Sequence, residues 1–198
     1  MPIEDRRERE RAARRRLIVT TARRLAEAEG WDAVTTRRLS TEIEYSQPVL
    51  YKHFAGMDQI AEAVALDGFG EFVGAIRDAR TQPGTAVEAL TRVARAYLDF
   101  AREHPALYDA MFTRATTLHF AAEDTPAQLA AAFTELRIGI AAIADGHDAD
   151  TLTEVFWAGL HGLVTLTRAG RLRAGYESDH IGLLVDRFTG GDGLSHQS

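Results

Sequence analysis

Apolar residues recur at intervals of three and four along almost the whole chain, and the strict alternation of a half-buried strand is nearly absent. Leu17, Ile18, Thr21, Ala22 and Leu25 share one face of a helix expected over residues 10–29, with Gly30 as its C-cap. Ile60, Val64, Phe72 and Ile76 make one stripe of a long helix expected over 57–79, and Leu66, Phe69 and Val73 lie beside it. β-Branched runs and Asn-Gly turns do not occur. Stripes of this kind are buried helix against helix, so the expected fold class is all-α.

Helix starts punctuate the second half. Thr85-Ala-Val-Glu88, Thr125-Pro-Ala-Gln128 and Thr151-Leu-Thr-Glu154 each place a hydroxyl three residues ahead of a carboxylate or amide. That spacing lets the two side chains satisfy reciprocal orphan N–H groups. Pro126 suits the first helical position. Thr41-x-x-Glu44 has the same letters but lies within a helical stretch. Pro105 stops the pattern after His104 and opens a short helix, Ala106 to Thr113. Helices over 125–144, 150–169 and 178–189 complete the run. Residues 190–198 are glycine-rich and polar, and are expected to form a disordered tail.

Composition excludes several classes. The 198 residues suffice for one or two domains with a real core. No run approaches the ~18 apolar residues of a membrane span, and the start is arginine-rich rather than a signal peptide. Cysteine is absent, which excludes disulfides and thiolate metal sites. The cytoplasm is the expected location, with no membrane partner. Net charge is −6, unevenly spread. Residues 1–58 hold 12 Lys+Arg against 10 Asp+Glu, and the remainder holds 11 against 19. Seven arginines crowd into the start: Arg6, Arg7, Arg9, Arg11, Arg14, Arg15 and Arg16. Such a run suits a solvated face, or contact with phosphates or a minor groove.

Residues 35–54 carry the sharpest local signal. Val34, Leu39 and Ile43 can share one helix face, which Thr35 or Thr36 can cap. The stripe stops after Ile43, and Tyr45 and Ser46 make a turn. Ser46 suits the N-cap of a second helix, whose first turn tolerates Pro48. Leu50 and Phe54 point inward together, leaving Gln47, Pro48, Val49, Tyr51, Lys52 and His53 outside. Gln can pair bidentately with adenine, and Val or the Pro ring can touch a thymine methyl. Tyr51, Lys52 and the helix-start N–H groups can hold phosphates. The same spacing is compatible with an ordinary surface helix.

These residues resemble the N-terminal domain of the tetracycline-repressor (TetR) family. Its pattern is an aromatic, a threonine four residues on, then Ile-Ala-x-x-Ala-Gly-Val-Ser-x-x-x-Leu-Tyr-x-His-Phe. Trp31 takes the aromatic position and Thr35-Thr36 the threonine. Leu39 to Ile43 supply the first helix, and Ser46 to Phe54 the turn exit and the second. The match covers roughly residues 12–70. Glu44 stands where the family has Gly and Tyr45 where it has Val. Glycine would ease a positive φ there, whereas glutamate must adopt another turn or bear roughly 1 kcal/mol of strain.

The resemblance implies a three-helix DNA-binding domain with a helix-turn-helix over residues 1–56, motif at 35–54. It implies a helical ligand-binding and dimerisation domain over 57–189. The expected DNA contacts are Thr36, Arg37, Ser46, Gln47, Pro48, Val49, Tyr51, Lys52 and His53, with Arg14, Arg15 and Arg16 on the backbone. Glu154 to Leu172 and His104 to Phe112 also resemble segments of the family's second domain, the former of a Trp-…-His-Gly type. A dimer interface is expected at Ala158, Gly162, Thr165, Ile181, Leu184, Val185 and Phe188; an internal core helix is the alternative. Phe69, Phe72, Tyr97, Phe100, Tyr108, Met111, Phe112, Phe133, Trp157 and His161 could line a pocket for an apolar ligand, or simply fill the core. His104 and His119 could be further polar anchors. His147 with Asp145, Asp148 and Asp150 suits a solvated loop better than a metal site, so neither metal nor cofactor is expected.

The partners implied are a palindromic double-stranded DNA operator, a small-molecule effector and a second copy of the chain. The function implied is a repressor released from DNA by that effector. An enzyme finds no support: there is no phosphate-binding glycine loop, His-Glu-x-x-His or nucleophile elbow. A helical co-regulator acting through protein contacts stays open because of Glu44.

Overall fold

The computed structural model describes residues 3–114, 118 and 125–190, the side chains of residues 3 and 4 aside. The helices described are α1 (Ile3–Glu29), α2 (Thr36–Glu42), α3 (Gln47–Tyr51), α4 (Met57–Thr81), α5 (Ala86–Glu103), α6 (Pro105–Asp109), α7 (Ala127–Ala141), α8 (Ala149–Arg168) and α9 (Glu177–Thr189). No strand occurs among the described residues, as the apolar spacing requires. His119 and the tail 191–198 lie outside the described residues.

Contacts divide the chain into two units, and the segment around α6 groups with the N-terminal helices. One comprises Met1–Phe69 and His104–Pro126, the other Gly70–Glu103 and Ala127–Ser198. The physical reason is a set of hydrogen bonds that bring α6 to α1. The Glu27 carboxylate accepts from the backbone N–H of Ala106 at 3.0 Å and of Leu107 at 2.9 Å. These are two of the orphan donors at the start of α6, which Pro105 and His104 cannot cap. The Trp31 indole N–H donates to the Ala106 carbonyl at 2.8 Å. Gly68 completes the seam: a Cβ there would stand 2.6 Å from Leu107 Cδ1 and 2.9 Å from Met111 Sδ. After Asp109 the short helix widens into a π turn, Ala110–Arg114.

In the second unit, α5 buries Leu90, Val93, Ala94, Tyr97, Leu98, Phe100 and Ala101, one continuous amphipathic face. Thr85 and Glu88 form the expected capping box: Thr85 N–H donates to Glu88 Oε2 at 2.8 Å, and Glu88 N–H to Thr85 Oγ1 at 3.2 Å. Arg92 donates to the carbonyls of Ala79 and Gln82 at 3.0 and 2.8 Å, satisfying acceptors at the end of α4. Glu135 on α7 is 4 % exposed and accepts from Arg77 and Arg80 of α4.

Several expectations are corrected. α1 starts at Ile3, not near residue 10, so the arginine run lies inside the helix. α7 begins at Ala127, after Pro126. α8 is capped by Asp148, whose Oδ2 accepts from Thr151 N–H at 2.8 Å; Thr151 sits in the first turn instead of opening the helix. Ile181 and Val185 are each 1 % exposed in the single chain. Phe188 stacks edge-on against Phe156 at 5.2 Å, and Leu184 packs on Gly159. Within the single chain Ile181 and Val185 thus face inward, Leu184 and Phe188 stay partly exposed, and Leu183 is exposed.

Candidate nucleic-acid interface

Thr35 Oγ1 accepts from Arg38 N–H at 3.1 Å and fixes the start of α2. Its end is a Schellman turn: Tyr45 N–H reaches the Ser40 carbonyl at 3.0 Å, and Glu44 N–H the Thr41 carbonyl at 3.3 Å. That turn needs a left-handed residue at position 44, and Glu44 supplies it with φ 56°. A glutamate there bears the strain that glycine avoids. Glu44→Gly is expected to raise stability by up to about 1 kcal/mol, less the extra entropy glycine gives the unfolded chain. Urea denaturation checks it; a loss of stability would mean the Glu44 side chain makes a compensating contact.

Ser46 is the N-cap of α3 by position, but its hydroxyl makes no capping hydrogen bond. Leu50 is wholly buried and Phe54 is 1 % exposed, so the helix is anchored at its far end. Arg15 strengthens that anchor: its guanidinium lies 4.0 Å from the Phe54 ring centroid and donates to the His53 carbonyl at 2.9 Å. Gln47, Pro48, Tyr51 and Lys52 are exposed, and Val49 and His53 are partly so. Each residue of the outward set expected from the sequence is therefore at least partly accessible.

Charges nearby divide into spent and available. Arg24 and Arg38 are neutralised by Glu42 at 2.7 and 3.1 Å, and Arg38 also by Glu29 at 3.0 Å. The Arg24 hydrogen bond is the largest influence holding the Glu42 carboxyl below its ordinary value. Arg15 is engaged with the His53 carbonyl and the Phe54 ring as described. Arg37 is exposed, and Thr36 at the start of α2 is partly so. His53 is held below its ordinary value, first by burial and then by Arg11, Arg14, Arg15 and Lys52. Arg7, Arg11 and Arg14 all belong to the arginine run read from the sequence, but of these only Arg14 is singled out there for the DNA backbone; their spacing of four and three residues along one helix is the signal that groups them.

The aromatic residues expected to line one pocket fall into two clusters. Phe69, Tyr108, Met111 and Phe112 belong to the first unit, where Phe112 packs against Phe69 at 5.4 Å and Tyr108 at 4.6 Å. Phe72, Tyr97, Phe100, Phe133, Trp157 and His161 belong to the second. There Phe72 meets Tyr97 and Phe100 edge-on, each at 5.3 Å, and Trp157 Nε1–H donates to Tyr97 Oη at 3.0 Å. Burial holds the His161 imidazole below its ordinary value. His104 is the residue preceding α6. No group of three or more His, Asp or Glu is placed to hold a metal among the described residues. No described helix is long and apolar enough to cross a membrane.

Comparison with known proteins agrees with this arrangement. Residues 18–64 match the model for bacterial regulatory proteins of the tetR family, and residues 90–187 the tetracyclin repressor-like C-terminal domain. The chain is 31% identical over 157 residues to the uncharacterized HTH-type transcriptional regulator Rv0681 of Mycobacterium tuberculosis, covering 79% of this chain and 71% of that one. Its fold is similar to that of a protein of unknown function from Rhodococcus sp. RHA1, with TM-score 0.72, 24% identity and coverage of 89% and 94%. It is also similar to RolR, solved in complex with resorcinol, with TM-score 0.66, 15% identity and coverage of 90% and 89%. Two family models covering both halves and a relative matched over most of its length place the chain in the TetR family of bacterial helix-turn-helix transcriptional regulators.

Proposed function

We propose that the chain is a homodimeric repressor that binds a palindromic operator through α3 and leaves it when a small apolar ligand binds. The observation that carries this reading is the exposed face Gln47, Pro48, Tyr51 and Lys52, on a helix pinned by Leu50 and Phe54. Residues 1–56 are assigned the DNA contact, and residues 57–189 ligand binding and dimerisation. Thr36, Arg37, Ser46, Val49 and His53 complete the contact surface. A twofold dimer would set two such helices roughly 34–36 Å apart, one DNA turn.

The dimer surface proposed is the outer face of α8. Val155, Ala158, Thr165 and Leu166 are exposed there, and a Cβ on Gly162 would meet nothing within 4 Å. Small residues on an open face let a second helix approach closely. Leu183 of α9, 58% exposed, is the natural companion. The ligand site proposed lies among Phe72, Tyr97, Phe100, Trp157 and His161, where aromatic walls surround few polar groups. Resorcinol in the similarly folded RolR is an example of a small aromatic ligand in this fold.

Binding to the upstream DNA of the protein's own coding region, followed by fluorescence anisotropy and footprinting, tests the reading. A protected symmetric site is expected. Gln47→Ala is expected to relax preference at one base pair by roughly 1–3 kcal/mol. Lys52→Ala should weaken binding to every sequence and reduce the salt slope by about one unit. If neither substitution changes DNA binding, α3 is not the recognition helix. A co-regulator or an enzyme would give no symmetric footprint.

A further inference from the structure

Arg7, Arg11 and Arg14 follow one another at intervals of four and three residues, so they stand on one face of α1. The C-terminal end of α3 is brought beside that face by Arg15, which donates to the His53 carbonyl. Between them is an open hollow of about 390 Å³ lined by Arg7, Glu10, Arg11, Arg14, Lys52 and His53. Four of the six lining side chains are permanent cations. Glu10, the one carboxylate, is already bound by Arg6 at 2.9 Å. Among the described residues the four cations form no ion pair of their own. Arg14 and Arg7 also act on the Glu10 carboxyl, but four cations against one carboxylate leave an excess of positive charge around a space of this size, which suits a compact oxyanion.

We infer that this hollow seats a backbone phosphate of the operator and that His53 binds it as the imidazolium. The inference rests on the DNA-binding reading above and deepens it. It also replaces the run Arg14 to Arg16 with a face. Arg15 is committed to His53 and Phe54, and Arg16 lies half a helical rotation from Arg7, pointing away.

Proton uptake follows from the charges around the imidazole. Arg7, Glu10, Arg11, Arg14 and Arg15 face it from α1, and Lys52 from its own stretch. Without DNA, burial and these cations keep His53 below its ordinary value of 6.5, so it is neutral near pH 7. A phosphate offsets the cations and favours the charged ring. One solvent proton per subunit then accompanies DNA binding. Affinity therefore rises as pH falls through the value of the bound form. It levels off below the value of the free form, where the ring is protonated already.

Two measurements on the full-length protein with an operator duplex test this. The first is the salt dependence of Kd. Arg7→Gln/Arg11→Gln/Arg14→Gln is expected to reduce the slope by about one unit per subunit, while Arg9→Gln/Arg16→Gln leaves it unchanged. The second is Kd between pH 6 and 8 at fixed salt. The wild type is expected to tighten toward acid by at most about tenfold per pH unit per subunit, and His53→Gln to remove that dependence. Equal slopes for the two arginine variants, or a pH profile that His53→Gln does not flatten, overturn the inference. So does a thermal shift with inorganic phosphate that depends on the three arginines while the DNA salt slope does not. Loss of specific binding by the wild type at every pH and salt would instead sink the DNA-binding reading itself.

Discussion

Phe54→Ala is expected to destabilise the first unit by about 3–5 kcal/mol, a large effect for a single side chain. The ring is 1 % exposed, and the Arg15 guanidinium lies 4.0 Å from its centroid. Truncation leaves a cavity at the end of α3 and removes the surface that holds Arg15 against His53. α3 has only five residues and no side-chain cap, so it has little stability of its own. Tyr51→Ala is the contrasting case. Tyr51 is 51% exposed, so its loss should cost no more than about 0.5 kcal/mol of stability while still weakening DNA binding. The two tryptophans report separately: Trp31 is buried in the first unit and Trp157 belongs to the second. Urea titration followed by Trp31 fluorescence in a Trp157→Phe background isolates the effect. A midpoint for Phe54→Ala equal to that of Phe54 itself would show that the ring is not the anchor.

That anchor was legible in the sequence because its partners are close in the chain. Leu39, Ile43, Leu50 and Phe54 carry the spacing of two short helices, and all four are buried. Glu44 was legible too: the position demands a left-handed residue whatever its side chain, and the backbone adopts φ 56°. Long-range pairing left no such trace. The Glu27 carboxylate meets the start of α6 across about eighty residues, and Trp31 meets Ala106 across 75. Neither bond has a period or a motif, so α6 was expected in the second half alone. Stripes announce burial without naming the partner. Ile181, Leu184, Val185 and Phe188 lie on one face of α9, and that face meets α8 of the same chain as readily as another subunit. Caps are ambiguous for a related reason. Asp148 and Thr151 can both cap a helix, and the local competition was decided by where the preceding loop turns, at Asp145 with φ 42° and Gly146 with φ 83°.

The other large effect lies in the second unit. Glu135→Ala is expected to cost about 3 kcal/mol near pH 7. Glu135 is almost fully enclosed, and its two oxygens accept from Arg77 at 2.7 Å and Arg80 at 2.8 Å. Removing it strands the Arg80 guanidinium, whose side chain is only 21% exposed; Arg77, at 54%, can turn to water, which keeps the cost at the low end. Glu135→Leu combined with Arg80→Met should recover most of the loss, because no unpaired charge then remains inside. The acid dependence has a definite sign. Burial raises the carboxyl, but the hydrogen bonds and charges of Arg80 and Arg77 outweigh it, so the group sits below its ordinary value of 4.5. A carboxyl lowered on folding contributes its full stability above the unfolded value and loses it as pH falls through the folded one. The gap between wild type and Glu135→Gln should therefore be constant from pH 7 to about 5 and close below pH 4.5. Urea midpoints across that range decide the matter. A loss below about 1 kcal/mol at pH 7 would mean that water screens the cluster, and a gap that widens in acid would reverse the assigned direction.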